Sequence, residues 1–270
     1  MPELPEVEVT RRALAEELTG DRIVGVVVRS WKLRLPVPAE LPAILAGRTL
    51  REVGRRGKYL LLACDGGWLV IHLGMTGHLR VLPSPMEAGR HDHLDLLFSG
   101  GRVLRFNDPR KFGTVFWTGD DPSAHPLLAE MGPEPLQNGF DGEYLFTLSR
   151  SRSVAVKQFI MNSSVVAGVG NIYANEALFR SRLRPSRQSR SLSPDECEAL
   201  VATIREVLTE SILKGSTIMN FGVAEEPLRY HPLDFLVYGR GGKPCFGCGG
   251  MLEEIRLGNR STVFCTNCQR

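Results

Sequence analysis

The chain opens Met1-Pro2-Glu3-Leu4-Pro5-Glu6-Val7-Glu8, and its second residue has unusual chemistry to offer. Once Met1 is removed, Pro2 presents a secondary amine with the Glu3 carboxyl beside it. An amine that attacks the C1′ of a sugar forms a Schiff base, the usual reason to employ nitrogen as a nucleophile. With a secondary amine the adduct is an iminium, which is cationic without needing a proton. It withdraws electrons and acidifies the neighbouring C2′ proton, so base loss can lead on to strand cleavage. The bland alternative is a silent terminus whose acidic residues simply favour a helix start.

Two further islands carry chemistry. Cys245-x2-Cys248 and Cys265-x2-Cys268 lie in the last twenty-six residues. Each pair closes a knuckle, with Phe246-Gly247, Gly249-Gly250 and Thr266-Asn267 supplying the turn residues, and four thiolates complete a tetrahedral zinc site without an open position. Disulfides, or a redox pair that needs only one such motif, are the competing readings. Cys64 and Cys197 stand apart and read as buried thiols. The other island, Gly168-Val169-Gly170-Asn171-Ile172-Tyr173-Ala174-Asn175-Glu176, is a glycine-rich turn that leads into a helix. Free backbone N–H groups at such a mouth seat phosphate, although two glycines before a helix also make an ordinary turn.

The elements that must position these residues follow from periodicity. Pro5 to Leu18 reads as a helix, with Val7, Leu14 and Leu18 on one stripe. Between Arg22 and Trp117 the pattern is one of short strands, among them Arg22–Arg29, Lys58–Ala63, Trp68–Leu73, Gly77–Leu82, His93–Phe98 and Arg102–Phe106. Many near-sequential short strands predict an antiparallel sandwich or barrel. From about Pro122 helices take over at Val154–Met161, Ile172–Ser181 and Pro194–Leu213, the last with Ser193 as its N-cap. The expected division is residues 1–121, 122–234 and 235–270.

Composition limits the classes open to the chain. Its 270 residues are 43% hydrophobic, enough for a real core, and no apolar run is long enough to cross a bilayer. A start without a charged-then-apolar leader predicts an intracellular protein. Formal net charge is only +3, with the basic excess in residues 146–270. Arg180, Arg182, Arg184, Arg187 and Arg190 form a basic cluster, which is either a phosphate footprint or a solvated loop.

Taken together, the Pro2–Glu8 block, the Gly168–Glu176 segment and the four-cysteine ribbon ending Cys268-Gln269-Arg270 resemble the formamidopyrimidine-DNA glycosylase family, from residue 1 to residue 270. The Pro-Glu-Leu-Pro-Glu start is the form typical of that branch, whereas the related endonuclease VIII branch usually starts Pro-Glu-Gly-Pro. The resemblance implies an α+β fold: an N-terminal β-sandwich lobe with a leading helix, and a C-terminal helical lobe with a helix–two-turn–helix motif and a zinc-ribbon β-hairpin. It implies a bifunctional glycosylase and abasic-site lyase that removes oxidised purines from damaged double-stranded DNA. One structural zinc, a monomer, no membrane partner and a bacterial cytoplasmic location go with it.

Roles carry over residue by residue. Pro2 is implied as nucleophile, Glu3 as the acid that protonates the sugar ring oxygen, and Glu6 as its support. Lys58 matches the family's phosphate-contacting lysine, and Arg260 the ribbon arginine that assists the second elimination. His91, Arg152 and Asn171 match phosphate contacts, Arg152 to within about one residue. Met75, Arg110 and Phe112 match a trio that fills the gap left by an extruded base, although ordinary packing would also account for Met75 and Phe112. Met219 and Asn220 depart from the family's usual charged pair, and Gly222–Pro232 from its usual lesion-covering loop; Asn162 and Ala167 are milder changes. These departures bear on lesion preference. The rivals are an endonuclease VIII-like enzyme and a non-catalytic DNA-binding protein.

Overall fold

The computed structural model describes residues 2–218 and 235–270. They fall into two compact units, one of residues 2–129 with 214–218 and one of residues 130–213 with 235–270.

The first unit starts with helix α1, Leu4–Leu18, capped at Glu3 and carrying Pro5 in its first turn, where a missing N–H costs nothing. Two four-stranded antiparallel sheets follow. One has the order β1 (Ile23–Val28), β6 (Asp92–Phe98), β7 (Val103–Asn107), β5 (His78–Leu82). The other has the order β2 (Leu50–Arg56), β3 (Tyr59–Cys64), β4 (Gly67–His72), β8 (Thr114–Thr118). In β3 alternate residues Leu60, Leu62 and Cys64 are buried, the period of two expected where one face packs on a core. They join Leu14 and Leu18 of α1 with Leu69, Ile71, Leu96, Leu104, Phe106 and Val115 in one apolar cluster. Each fully buried Leu or Phe contributes about 1.5–3 kcal/mol. The sandwich expected from the strand pattern is thus present, and Leu41–Leu45 adds a one-turn helix, α2, too short for a periodic signal.

Strand β6 also carries Asp92 and Asp95, which are buried and paired. Arg105 donates to Asp95 at 2.8–2.9 Å, to Asp92 at 3.3 Å, and to the carbonyls of Met86 and Glu87. A buried charge is tolerated only with such partners. Gly89 N–H donates to Asp92 at 2.8 Å, so the same charges hold the segment that leads to His91.

The second unit contains α3 (Gly142–Ser149), α4 (Val156–Met161), α5 (Asn171–Arg180), the part of α6 (Pro194–Ile218) up to Leu213, and the hairpin β9 (Glu253–Leu257), β10 (Arg260–Phe264). Helix α6 opens on a reciprocal cap: Glu196 N–H donates to Ser193 Oγ, and Ser193 N–H to the Glu196 carboxylate. The helix runs past its expected end at Leu213 to Ile218. The single Gly215 costs about 1 kcal/mol relative to alanine and does not stop a helix. Of the departures named above, those at 219–232 lie outside the described residues. Among the described residues, no helix is long and apolar enough to cross a membrane.

Candidate active site and nucleic-acid interface

At the N-terminus, Pro2 and Glu3 are both buried. The Glu3 side chain accepts from the backbone of Glu6, and Glu3 N–H donates to the Glu6 carboxylate at 2.7 Å. The expected acid and its expected support are therefore locked to each other by the helix cap, which fixes the start of α1 around the Pro2 amine.

Lys58 sits in the two-residue turn Gly57-Lys58 that joins β2 to β3, where Arg56 pairs with Tyr59. Gly57 has φ 55°, the left-handed geometry that a hairpin turn of this length demands at its first position. Arg55 donates to the Gly57 carbonyl at 2.8 Å and to Glu8 of α1 at 3.1 Å. Glu8 also receives Arg11 and Arg12. Burial raises its carboxyl, but these guanidinium hydrogen bonds outweigh burial and hold it at about 2. The helix that follows Pro2 and the turn bearing Lys58 are thus tied through one carboxylate. Nothing in the residue types of Glu8 or Arg55 announced this; only their partners do.

Beneath the turn, the Tyr59 and His72 rings are 4.6 Å apart. Burial, then the charges of Lys58 and Arg34, push His72 down to about 4. It stays neutral near pH 7, and its Nδ1 accepts the Gly74 N–H at 3.0 Å.

Gly74 starts the loop carrying Met75. A Cβ on Gly74 would stand 2.5 Å from the Phe112 carbonyl carbon and from Gly113 N, so the Met75 loop and the Arg110–Phe112 loop touch backbone to backbone. Phe112 is 41% exposed, and the Arg110 guanidinium lies over its ring at 4.6 Å. Met75 is half-buried and Arg110 exposed. The filler trio is therefore brought together at one surface, and packing into the core does not account for Phe112. His91 joins them, its carbonyl accepting Asp108 N–H at 3.0 Å.

In the second unit Asn171 is the first residue of α5, with Gly170 as cap. Its side-chain oxygen is buried and has no hydrogen-bond partner among the described residues. Asn175 and Glu176, in the same motif, hold the ribbon. The Asn175 oxygen accepts Val263 N–H at 2.9 Å, and the Glu176 carboxylate accepts the N–H groups of Leu236, Val237 and Tyr238 at 2.8–2.9 Å. Lys157 of α4, 1% exposed, donates at 2.7 Å to the Ser261 carbonyl and to Thr262 Oγ1. These anchors flank Arg260, which is exposed beside the hairpin turn Gly258-Asn259. Sequence reasoning missed all three, because a buried polar anchor on a helix leaves no periodic trace.

Arg152 is exposed. Of the arginine cluster, Arg180 pairs with Glu210 at 2.7 Å and Arg187 with Glu196 at 2.6 Å. These two charges are spent internally, which favours the bland reading for them.

The four ribbon cysteines place their Sγ atoms within 4.8 Å of one another. Cys245 and Cys268 are 4.0 Å apart, Cys248 and Cys265 3.5 Å. A tetrahedron with Zn–S of about 2.3 Å separates its sulfurs by about 3.8 Å. The set fits a structural zinc, and four thiolates leave it no open position.

Three family models tile the chain. The formamidopyrimidine-DNA glycosylase N-terminal domain matches residues 1–115, the H2TH domain of the same enzymes residues 131–222, and the zinc finger found in FPG and IleRS residues 242–270. The formamidopyrimidine-DNA glycosylase of Geobacter metallireducens is 64% identical over 269 residues, covering 100% of both chains. The Lactococcus lactis enzyme, solved bound non-covalently to DNA containing an abasic site, superposes with TM-score 0.88 at 30% identity over 100% of both chains. The MutM (Fpg) protein of Thermus thermophilus gives 0.85 at 39% identity, covering 99% of this chain and 98% of the other. Fold and site thus define a DNA glycosylase of base excision repair that carries a zinc ribbon and acts on oxidised bases in DNA. The chain belongs to the formamidopyrimidine-DNA glycosylase family.

Proposed function

We propose that this glycosylase excises oxidised purines, 8-oxoguanine and formamidopyrimidines, from duplex DNA with Pro2 as nucleophile, and then cleaves the strand. The observation that carries the reading is the buried Pro2–Glu3 pair, with Glu6 holding the Glu3 backbone at 2.7 Å. The Pro2 nitrogen bonds C1′ as the glycosidic bond breaks and the base leaves with the electron pair. Glu3 protonates the ring oxygen, a general-acid contribution of about 10²–10⁴-fold. Ring opening gives the iminium. Loss of the C2′ proton expels the 3′ phosphate, and a second elimination expels the 5′ phosphate. Water then hydrolyses the iminium and frees Pro2.

Lys58, His91, Arg152, Asn171 and Arg260 hold phosphates, Arg260 also serving the second elimination, while Met75, Arg110 and Phe112 occupy the emptied stack. Residues 1–121 act as the catalytic sandwich, 122–234 as the helical DNA-binding part and 235–270 as the zinc finger. The protein works as a monomer in the bacterial cytoplasm.

Borohydride trapping on a duplex with 8-oxoguanine opposite cytosine tests this, with Pro2→Gly as control. An adduct mapping to residue 2, lost or greatly weakened in the control, is expected. No adduct there, on a ring-opened purine or on an abasic site would leave a DNA-binding protein. Faster excision of oxidised pyrimidines would move the protein toward the endonuclease VIII-like reading.

A further inference from the structure

Met75, His91, Arg110 and Phe112, assigned above to DNA contact, bond to or adjoin residues bonded to one residue that itself has no such assignment. Asp108 is completely buried. One carboxylate oxygen accepts the Thr76 hydroxyl at 2.6 Å and Arg110 N–H at 3.3 Å; the other accepts Gly113 N–H at 2.8 Å. Its carbonyl accepts Lys111 N–H at 3.2 Å and the His93 ring at 2.7 Å, and its own N–H donates to His91. Thr76 follows Met75 and Gly113 follows Phe112. The carboxylate therefore grips the neighbour of each apolar filler and the backbone of the arginine itself.

We propose that Asp108 is a positioning residue for base extrusion: it sets the Met75 and Arg110–Phe112 loops as one rigid wedge. The proposal rests on reading those three side chains as gap fillers. Lys111, between Arg110 and Phe112, has φ 55°, a left-handed conformation that costs a non-glycine residue about 1–2 kcal/mol. Such strain persists only where the surroundings over-determine it. Here the bonds from Arg110, Lys111 and Gly113 to Asp108 bracket the strained residue. The conformation turns the Arg110 guanidinium over the Phe112 ring, the stacked pair that fills the gap. An intact lesion base must be unpaired and unstacked, whereas an abasic site has no base to remove from the stack. The wedge should therefore matter for the first and much less for the second.

The test compares single-turnover cleavage of 8-oxoguanine opposite cytosine with cleavage of a preformed abasic site, for Asp108→Asn and Thr76→Val. Asp108→Asn should slow the first at least tenfold and the second less than threefold. Thr76→Val should show the same contrast, smaller, and decides the matter if Asp108→Asn does not fold. Equal loss on both substrates, or loss on neither, overturns the positioning role. Arg110→Ala and Phe112→Ala run alongside; if these leave the contrast unmoved, it is the filler reading that fails. Wild-type protein inactive on both substrates would instead sink the proposed function.

Discussion

Among the described residues, Lys58 and the Met75 and Arg110–Phe112 loops project from a sandwich with 22 residues in its buried cluster, whereas Arg260 stands on a ribbon whose own cluster numbers five, two of them zinc cysteines. The sandwich is stable through its own apolar burial, so a few polar bonds suffice to aim each loop. Asp108 bonds the Met75 and Arg110–Phe112 loops in this way, and Arg55 the Lys58 turn. Among the described residues the ribbon's buried apolar side chains are few, Val237, Leu252, Val263 and Phe264. Its order comes from metal and from buried polar anchors on α4 and α5, namely Lys157, Asn175 and Glu176. A module with so small a core needs fixing from outside it.

Zinc removal should break the comparison most sharply. Structural zinc contributes roughly 10–16 kcal/mol in isolated zinc modules. Chelation should abolish hydrogen-exchange protection in β9 and β10 and weaken duplex binding at least about 100-fold, while β3 and β4 stay protected. Loss of protection in β3 and β4 as well would show that the sandwich depends on the metal too.

The reverse experiment is smaller. Leu62→Ala opens a cavity between β3 and the facing core and should cost about 2–5 kcal/mol. The sandwich amides should lose protection in thermal scans, with the zinc content and β9–β10 protection of the folded protein unchanged. Zinc loss below the sandwich transition would mean that the ribbon's order is borrowed from the core.

Much of the candidate site was legible in the sequence because its parts are local. Pro2, Glu3 and Glu6 lie within five residues, and the four cysteines advertise their geometry by spacing. Short strand-like runs separated by glycine, proline or aspartate, and the stripe of α1, likewise made the sandwich and its leading helix legible. Fixing side chains were not legible. Arg55 meets Glu8 across 47 positions, Glu176 meets Val237 across 61, and Lys157 meets Thr262 across 105. Asp108, within the turn signal Asn107-Asp108-Pro109-Arg110, was visible as a turn residue, but its bond to Thr76 was not. Pairings at such separations depend on strand register and helix packing, which one sequence does not encode as a pattern.

The smallest effect concerns the polar bonds that aim a loop on an already stable core. Glu8 has its folded value held at about 2, below the ordinary 4.5. Above pH 4.5 both folded and unfolded forms carry the anion and its stabilisation is fully present. As pH falls from 4.5 toward 2 the unfolded chain takes up the proton first, so that stability is lost. Glu8→Gln should remove on the order of 1–2 kcal/mol at pH 7, after allowance for solvent screening, and flatten the acid limb of the stability curve. Urea titrations of wild type and variant at pH 7, 4 and 3 measure it. The two curves should converge as pH falls, and a constant gap would assign the effect to packing. If the Arg55 bond to Gly57 aims Lys58, the variant should also lose single-turnover trapping rate at pH 7 while its melting point stays well above the assay temperature. Loss of stability with an unchanged trapping rate would mean that the Lys58 turn keeps its place on the sandwich core alone.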